Sequence, residues 1–201
     1  MKCAHLFLLL FPFLISAQST LIDERDDTEY QVTQLGSLYW MTENLRFKAN
    51  GSECPKDCDQ IRFYDFEYLE NVCPRGWRLP TMDEWDLFVS SFGEVEKTRM
   101  MEGNDKLYRV DFFDQFNLFE SNVLEIKPYG RMEGGKLISG FFIDYWTVNP
   151  STQDDRFHMH LAPYSLTGHG HKHHLKSNRP EEYRLFPIRC VCEEEKFERA
   201  E

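Results

Sequence analysis

Apolar and polar residues alternate in two short runs near the start of the chain, Glu29–Leu35 and Leu38–Thr42. Alternation with a period of two is typical of a strand that buries one face. Gly36-Ser37 lies between the two runs and suits a two-residue turn. The pattern therefore predicts a β-hairpin.

A later segment shows helical spacing instead. Trp85 and Phe88 lie on one apolar face of a helix that we predict over residues 83–92. Thr81 precedes this helix as its N-cap, and Glu84, three residues further on, completes a capping box. We expect this segment to be the main helix of the protein.

The other segments are predicted mostly as strands, turns and loops. Residues 94–127 are rich in aromatic side chains, but their periodicity does not decide between helix and strand. The charged residues 193–201 are predicted to form a loose acidic tail. Ile61–Tyr64 is predicted as a short strand or turn, and Phe66–Asn71 is expected to form a helical turn. The predicted strands are Phe141–Val148, Phe157–Leu161 and Tyr183–Cys192.

The start of the chain has the pattern of a secretory signal peptide over residues 1–17. Lys2 is basic, Leu6–Ile15 is a continuous apolar run, and Ala17 is small. The apolar run is short for a membrane anchor, because crossing a bilayer takes ~20 apolar residues. We therefore predict cleavage near Ala17, no transmembrane segment in the mature chain, and a location that is secreted, periplasmic or on the cell surface.

The length and charge of the chain restrict its organisation and its partners. Residues 18–201 are enough for a single domain, whose core we expect at about 20–192. The chain holds 34 acidic residues against 23 lysines and arginines, which gives a net charge of −11 at pH 7. This balance argues against nucleic acid as a partner. The sequence leaves the oligomeric state open.

Five cysteines follow the predicted cleavage point: Cys54, Cys58, Cys73, Cys190 and Cys192. In an exported chain such cysteines are disulfide candidates first and metal ligands second. Cys54 and Cys58 are predicted to close a small local loop. Cys73 is then expected to pair with one of the two C-terminal cysteines, with one thiol left over.

Five motifs occur in an order that a known family of domains shares. They are Asp23–Asp26, Trp40–Leu45, Cys73–Trp85, Gly134–Trp146 and Ile188–Val191. In this order they resemble the Fibrobacter succinogenes major paralogous domain, a family of exported bacterial domains. The block CPRGWRLPTMDEW at residues 73–85 is the specific part of the resemblance. The Cys54/Cys58 loop, Cys192 and the histidine-rich stretch before the last strand depart from the family pattern.

The resemblance implies a fold and one disulfide. The family is similar to C-type-lectin-like and formylglycine-generating-enzyme-like folds, which implies an α+β fold with small antiparallel sheets, one main helix and long loops. In those folds a cysteine near the first helix pairs with one in the final strand, which implies a Cys73–Cys190 bridge here. No established activity follows from the resemblance.

The four tryptophans raise the question of sugar binding. Trp40, Trp77, Trp85 and Trp146 each lie in a motif that is typical of a core, so packing is favoured over sugar stacking. Calcium-dependent C-type lectins use an acidic or amide residue followed by Pro-Asn or Pro-Asp, and a Trp-Asn-Asp triplet. Neither triplet is present here, because Trp146 is followed by Thr147. Calcium-mediated lectin activity is therefore not expected.

The histidines form a candidate metal site. Two imidazoles spaced two residues apart on a strand share one face and can bind Zn²⁺, Ni²⁺ or Cu²⁺. Histidine-rich tracts also take up metals without a physiological need for them. We expect a loop that binds Zn²⁺ or Ni²⁺, and no cofactor that the fold requires. The candidate ligands are His158, His160, His169, His171, His173 and His174.

No catalytic residue is assigned, because the chain has no G-x-S-x-G, H-E-x-x-H or Gly-rich phosphate loop. The leading prediction is an exported, non-catalytic binding module for a glycan or protein partner, with its binding residues unassigned. The alternative is a metal-binding or oxidoreductase-like domain that uses the histidines or the pair Cys190 and Cys192. Formylglycine-generating relatives use a pair of reactive cysteines near a copper ion, which is why this pair is considered.

Overall fold

The protein is described by a computed structural model over residues 19–54, 59–90, 96–99, 106–109, 122–148, 156–162, 165–169 and 184–197. The described residues form two α-helices, α1 (Met82–Ser90) and α2 (Glu194–Phe197), and a short 3₁₀ helix at Phe66–Tyr68. Their strands are β1 (Ser19–Asp23), β2 (Thr28–Leu35), β3 (Leu38–Met41), β4 (Ser52–Glu53), β5 (Phe63–Asp65), β6 (Glu96–Arg99), β7 (Lys106–Arg109), β8 (Arg131–Glu133), β9 (Lys136–Ile138), β10 (Ile143–Val148), β11 (Arg156–Ala162), β12 (Ser165–His169), β13 (Arg184–Phe186) and β14 (Val191–Glu193).

Three sheets are built from these strands, and the named strands pair antiparallel throughout. The first sheet has the order β1-β2-β3-β14, and the second has the order β10-β11-β12-β7-β6. The third has the order β4-β5-β13-β8-β9. Neither α-helix among the described residues is long and apolar enough to cross a membrane.

The predicted hairpin is confirmed by strands β2 and β3. Leu35 and Leu38 are the last paired positions, and the turn between them begins at Gly36 with φ +66°. This left-handed backbone is unfavourable for residues with a Cβ and accessible to glycine. The predicted helical turn is also found, although it is limited to Phe66–Tyr68.

The prediction of an α+β fold with one main helix is wrong, because the protein is mostly β. Helix α1 has only nine residues. Parts of the undecided region form β6 and β7, and part of the histidine-rich stretch forms β12. These strands extend the sheet of β10 and β11, where neighbouring strands satisfy their backbone hydrogen bonds. The periodicity of one short segment does not indicate which other strands that segment will pair with.

The predicted last strand, Tyr183–Cys192, is in fact divided between two sheets. Strand β13 pairs with β5 and β8, whereas β14 pairs with β3 in another sheet. Pro187 directly follows β13 and has no N–H to continue the ladder. The expected loose tail also differs from the structure at its start. Helix α2 occupies residues 194–197, and Phe197 is only 6% exposed.

Among the described residues, two apolar clusters form the core. The first centres on Trp40 and Trp85, whose ring centroids lie 5.1 Å apart, beneath helix α1. The second contains Trp146 packed on Phe186 at 4.5 Å. Trp40, Trp85 and Trp146 are almost fully buried, which confirms their prediction as core residues. Trp77 is the exception, because it is only partly buried.

The predicted bridge between Cys73 and Cys190 is confirmed, with an S–S distance of 2.06 Å. It ties the segment before α1 to the segment that enters β14. Cys54 is also disulfide-bonded, and its partner lies outside the described residues, as does Cys58. The pairing of Cys54 with Cys58 therefore stays a prediction. Cys192 is a buried free thiol.

Candidate functional site

A groove of about 740 Å³ opens between strand β1 and the turn that follows Cys73. We call it the Trp77 groove. Strand β1 forms one side, the turn forms another, and helix α2 and strand β14 complete the lining. Its lining residues include Ile22, Glu24, Arg75, Trp77, Cys192 and Phe197.

The position of Trp77 follows from the local sequence. The Trp77 N–H donates to the carbonyl of Pro74 at 2.9 Å, which closes a tight turn. Gly76 adopts φ +82°, a left-handed backbone that glycine accommodates without strain. Two backbone hydrogen bonds of 3.0 and 2.8 Å between Arg78 and Val191 then fix the chain beside β14. Trp77 is thus presented by a turn that is held from both ends.

The indole of Trp77 is supported on one side and available on another. The ring of Phe197 meets it edge-to-face at 5.9 Å, and Phe197 in turn stacks on Tyr39 at 4.1 Å. Within the described part of the chain, the indole N–H of Trp77 donates to no acceptor. An aromatic ring with a free polar tip is a common element of binding surfaces.

Two exposed charged residues line the same groove as Trp77, namely Glu24 and Arg75. Neither side chain makes a hydrogen bond or an ion pair with the residues that the structure describes. Lys196 also lines the groove, but its ammonium is bonded to Glu193 at 2.7 Å. The groove therefore combines an aromatic surface with an acceptor and a donor that are free to meet a ligand.

Cys192 lines the same groove but is poorly suited to chemistry. Burial, and secondarily the charge of Glu193, raise the pKa of the Cys192 thiol, so little of the reactive thiolate is present at neutral pH. Cys190 is bonded to Cys73 and is not a second free thiol. The arrangement gives no support to a reactive pair of Cys190 and Cys192.

The structure brings His158 and His160 together around a buried carboxylate that the sequence analysis missed. His160 Nδ1 lies 2.6 Å from Asp144 Oδ1, and His158 Nε2 lies 4.0 Å from the same oxygen. Arg131 Nη1 approaches the other oxygen at 3.1 Å. Asp144 and His160 are register partners on β10 and β11, which explains why they meet. The signal in the sequence was a lone acidic residue in an otherwise apolar strand, FFIDYWTV.

Burial alone would raise the pKa of the Asp144 carboxyl. The hydrogen bond with His160, the electrostatic attraction of His158 and His160, and the hydrogen bond from Arg131 outweigh burial and hold the pKa of Asp144 below its usual range. Asp144 is therefore a carboxylate at neutral pH, enclosed by three basic side chains. A buried carboxylate of this kind can orient an imidazole, and its hydrogen bond with His160 also stabilises the pairing of strands β10 and β11.

The structure places some of the six predicted metal ligands and not others. His169 is the register partner of His158, on strand β12. His171, His173 and His174 lie outside the described residues. Across the described ranges, no set of three or more His, Cys, Asp or Glu residues is placed to hold a metal ion. Uptake of Zn²⁺ or Ni²⁺ by the histidine tract stays a prediction.

The fold and the Trp77 groove define the class of protein as a disulfide-bonded, mostly β domain with an open surface groove. The sequence matches no protein-family model and no solved structure. It is 27% identical over 128 residues to an uncharacterised human protein, an alignment that covers 61% of this chain and 20% of the human protein. The chain thus spans about a fifth of the length of this relative. The similarity indicates no activity, and the resemblance to the bacterial domain family stays a prediction.

Proposed function

We propose that this protein is an exported, non-catalytic binding module that holds a glycan in the Trp77 groove. The observation that carries the proposal is that the partly exposed Trp77 shares one groove with two charged side chains, Glu24 and Arg75, that have no partners within the described structure. Concave sites that combine an aromatic surface with a few convergent polar groups are typical of ligand-binding sites.

A sugar ring matches these groups chemically. Its C–H face packs on an aromatic ring, and its hydroxyls both donate and accept hydrogen bonds. The indole N–H of Trp77 and the guanidinium of Arg75 supply donors, and the carboxylate of Glu24 supplies an acceptor. The sequence lacks the triplets with which calcium-dependent lectins bind a sugar through a calcium ion, and this fits recognition of the sugar by protein side chains alone.

A protein segment is the second candidate ligand, and one observation favours it. Ile22, on the groove side of strand β1, is 55% exposed. An exposed aliphatic side chain in the same groove as Trp77 offers apolar contact that a protein side chain can bury more fully than a sugar can.

Export is part of the proposal and rests on two features. The first seventeen residues have the signal pattern, and the Cys73–Cys190 bridge together with the bonded Cys54 suits an oxidising compartment. The intact mass of protein recovered from its native host tests this part. A mature chain that begins near Gln18 is expected, and one that still carries Lys2 would count against export.

The test of ligand class uses disulfide-intact protein without a histidine tag on a glycan array, followed by calorimetry of the bound glycans. Trp77→Ala should weaken binding at least tenfold, because removal of a central aromatic anchor commonly costs about 2 kcal/mol or more. Arg75→Ala and Glu24→Ala should each weaken binding by a smaller factor.

Phe141→Ala is the matched control, because Phe141 is an 81% exposed aromatic that does not line the groove. Its binding should equal that of the wild type. Glycan binding that survives Trp77→Ala would reject the groove as the site. Absence of any glycan ligand, with a groove-dependent protein partner found instead, would replace the glycan by the second candidate.

A further inference from the structure

A second cavity, of about 190 Å³, shares no lining residue with the Trp77 groove. We call it the Arg189 cleft, because Arg189 is one of its lining residues. The lining is almost wholly polar and includes Asn44, Asp59, Glu125 and Lys127. A polar cavity of this volume has room for several water molecules or for a small polar ligand.

Arg189 is a buried cation whose partners among the described residues are all neutral. It is 1% exposed. Its Nε donates to Asn44 Oδ1 at 3.0 Å, and its Nη1 donates to the carbonyls of Met41 and Leu124 at 3.0 and 2.8 Å. Within the ranges that the structure describes, Arg189 makes no ion pair, and its Nη2 donates to no protein acceptor.

The guanidinium is also held rigidly. Asn44 Oδ1 accepts a second hydrogen bond from the hydroxyl of Tyr145 at 2.8 Å, and Asn44 Nδ2 donates to the carbonyl of Gln60 at 3.3 Å. Burial of a charge is costly unless an opposite charge or several hydrogen bonds compensate it. An anionic oxygen in the cleft would supply the missing opposite charge and satisfy Nη2, with little ordering of the protein needed.

The other charges of the cleft restrict which anion fits. Lys127 is exposed and its ammonium makes no hydrogen bond or ion pair with the described residues, so it adds a second positive charge. Asp59 and Glu125 add two negative charges at the same lining. Glu43 is already bonded to Arg46 at 2.9 Å. Two carboxylates close to the ligand repel a dianion more than a monoanion.

We propose that the Arg189 cleft binds the carboxylate of a small ligand, with Arg189 Nη2 as the donor at its base and Lys127 as a supporting charge. The carboxylate can belong to a free organic acid or to an acidic sugar residue. This proposal is independent of the Trp77 groove, because the two cavities have no residue in common.

The test is a titration of ¹⁵N-labelled full-length protein, followed by nuclear magnetic resonance at constant ionic strength. The probes are sodium acetate, glucuronate, glucose and sulfate, each balanced against chloride. Acetate and glucuronate should cause saturable shifts of the amides of Asn44 and Tyr129, with dissociation constants in the millimolar range. Glucuronate that binds at least threefold more tightly than acetate indicates an acidic sugar, and equal binding indicates a small free acid.

Glucose should cause no such shifts, and sulfate should bind more weakly than acetate. Shifts that do not saturate, or that chloride alone reproduces, would overturn the proposal. Sulfate that binds more tightly than both carboxylates would also overturn it, since the assigned ligand is a monoanionic carboxylate.

Variants locate the binding. Arg189→Lys keeps the charge but loses the geometry, and it should abolish saturable binding. Because this change can also unfold the protein, Lys127→Ala serves as a second variant at an exposed position. It should weaken the binding of acetate at least threefold. Lys136→Ala is its matched control, an exposed lysine outside the cleft, and should bind as the wild type does. Unchanged acetate binding in Lys127→Ala would contradict the proposal. Trp77→Ala should leave acetate binding intact, so a failure of the proposal for the Trp77 groove can be distinguished from a failure of the proposal for the Arg189 cleft.

Discussion

Asp144 illustrates how a single polar residue organises its surroundings. It is fully buried in strand β10, and its two oxygens are bonded to His160 at 2.6 Å and Arg131 at 3.1 Å. The residues on either side of Asp144 along the strand, Ile143 and Tyr145, belong to the apolar core. A charge in this position is tolerated because basic side chains from two other strands enclose it.

Replacement of Asp144 by Asn should lower the free energy of unfolding at pH 7 by about 2 kcal/mol, since charge-assisted hydrogen bonds are lost. The pKa of Asp144 is lowered in the folded protein. Its contribution is therefore present above the unfolded-state pKa of ~3.9 and is lost as the pH falls through the lower folded-state pKa.

Urea unfolding from pH 7 down to pH 3 measures this effect. The difference between wild type and Asp144→Asn should shrink as the pH falls below ~3.9. Asp27→Asn is the control, because Asp27 is exposed and Asn also accepts its left-handed φ of 57°. A difference that persists undiminished at pH 3 would show that packing, not charge, gives Asp144 its effect.

Helix α1 shows that local sequence rules can determine an element's start. The Glu84 N–H donates to Thr81 Oγ1 at 3.2 Å, and the Thr81 N–H donates to Glu84 Oε2 at 2.8 Å, so the predicted capping box is confirmed. Arg78 adds an ion pair to Glu84 at 2.6 Å. The helix then buries Trp85 and Phe88 against the core, as their spacing predicts.

Removal of the cap tests how much it contributes. Thr81→Ala should lower the free energy of unfolding by about 1 kcal/mol, because the N–H of Glu84 loses its acceptor. Thr81→Ser keeps the hydroxyl and should lose no more than a few tenths of that amount. Equilibrium unfolding in urea compares the two variants. An equal loss in both would indicate that the methyl group of Thr81, rather than the cap, matters.

The whole molecule is held together by contacts between distant parts of the sequence. The Cys73–Cys190 bridge spans 117 residues and joins the segment before α1 to the one that enters β14. Beside it, Arg78 and Val191 exchange backbone hydrogen bonds, and helix α2 covers Trp77 through Phe197. The Trp77 groove exists only because these segments meet.

Loss of this bridge should have a large effect on stability. The double variant Cys73→Ala, Cys190→Ala should be less stable by up to roughly 5 kcal/mol in the chain-entropy model for a loop of this size. Cys192→Ala, the matched change at the free thiol, should cost only about 1 kcal/mol. Unfolding under non-reducing conditions compares them, and peptide mapping checks the pairing. A map that joins Cys73 to Cys192 would contradict the structure.

The sequence by itself determined the features that depend on neighbours along the chain. The hairpin of β2 and β3, the start of α1 and the burial of Trp40, Trp85 and Trp146 all follow from local periodicity and turn chemistry. The resemblance to a known family further implied the Cys73–Cys190 pair. The hairpin, the helix start and the buried tryptophans are each specified within one short stretch of sequence, whereas the disulfide was implied only by the family resemblance.

Tertiary structure alone decided the rest. The break of the last strand after β13, the joining of β6, β7 and β12 to one sheet, and the mostly β character depend on which strands become neighbours. Both cavities also combine segments far apart in sequence, such as β1 with Trp77, and Asn44 with Arg189. Local propensity determines only whether a segment is able to form a strand. The partner of each strand and the solvent exposure of each side chain are determined by the free energy of the whole packed chain.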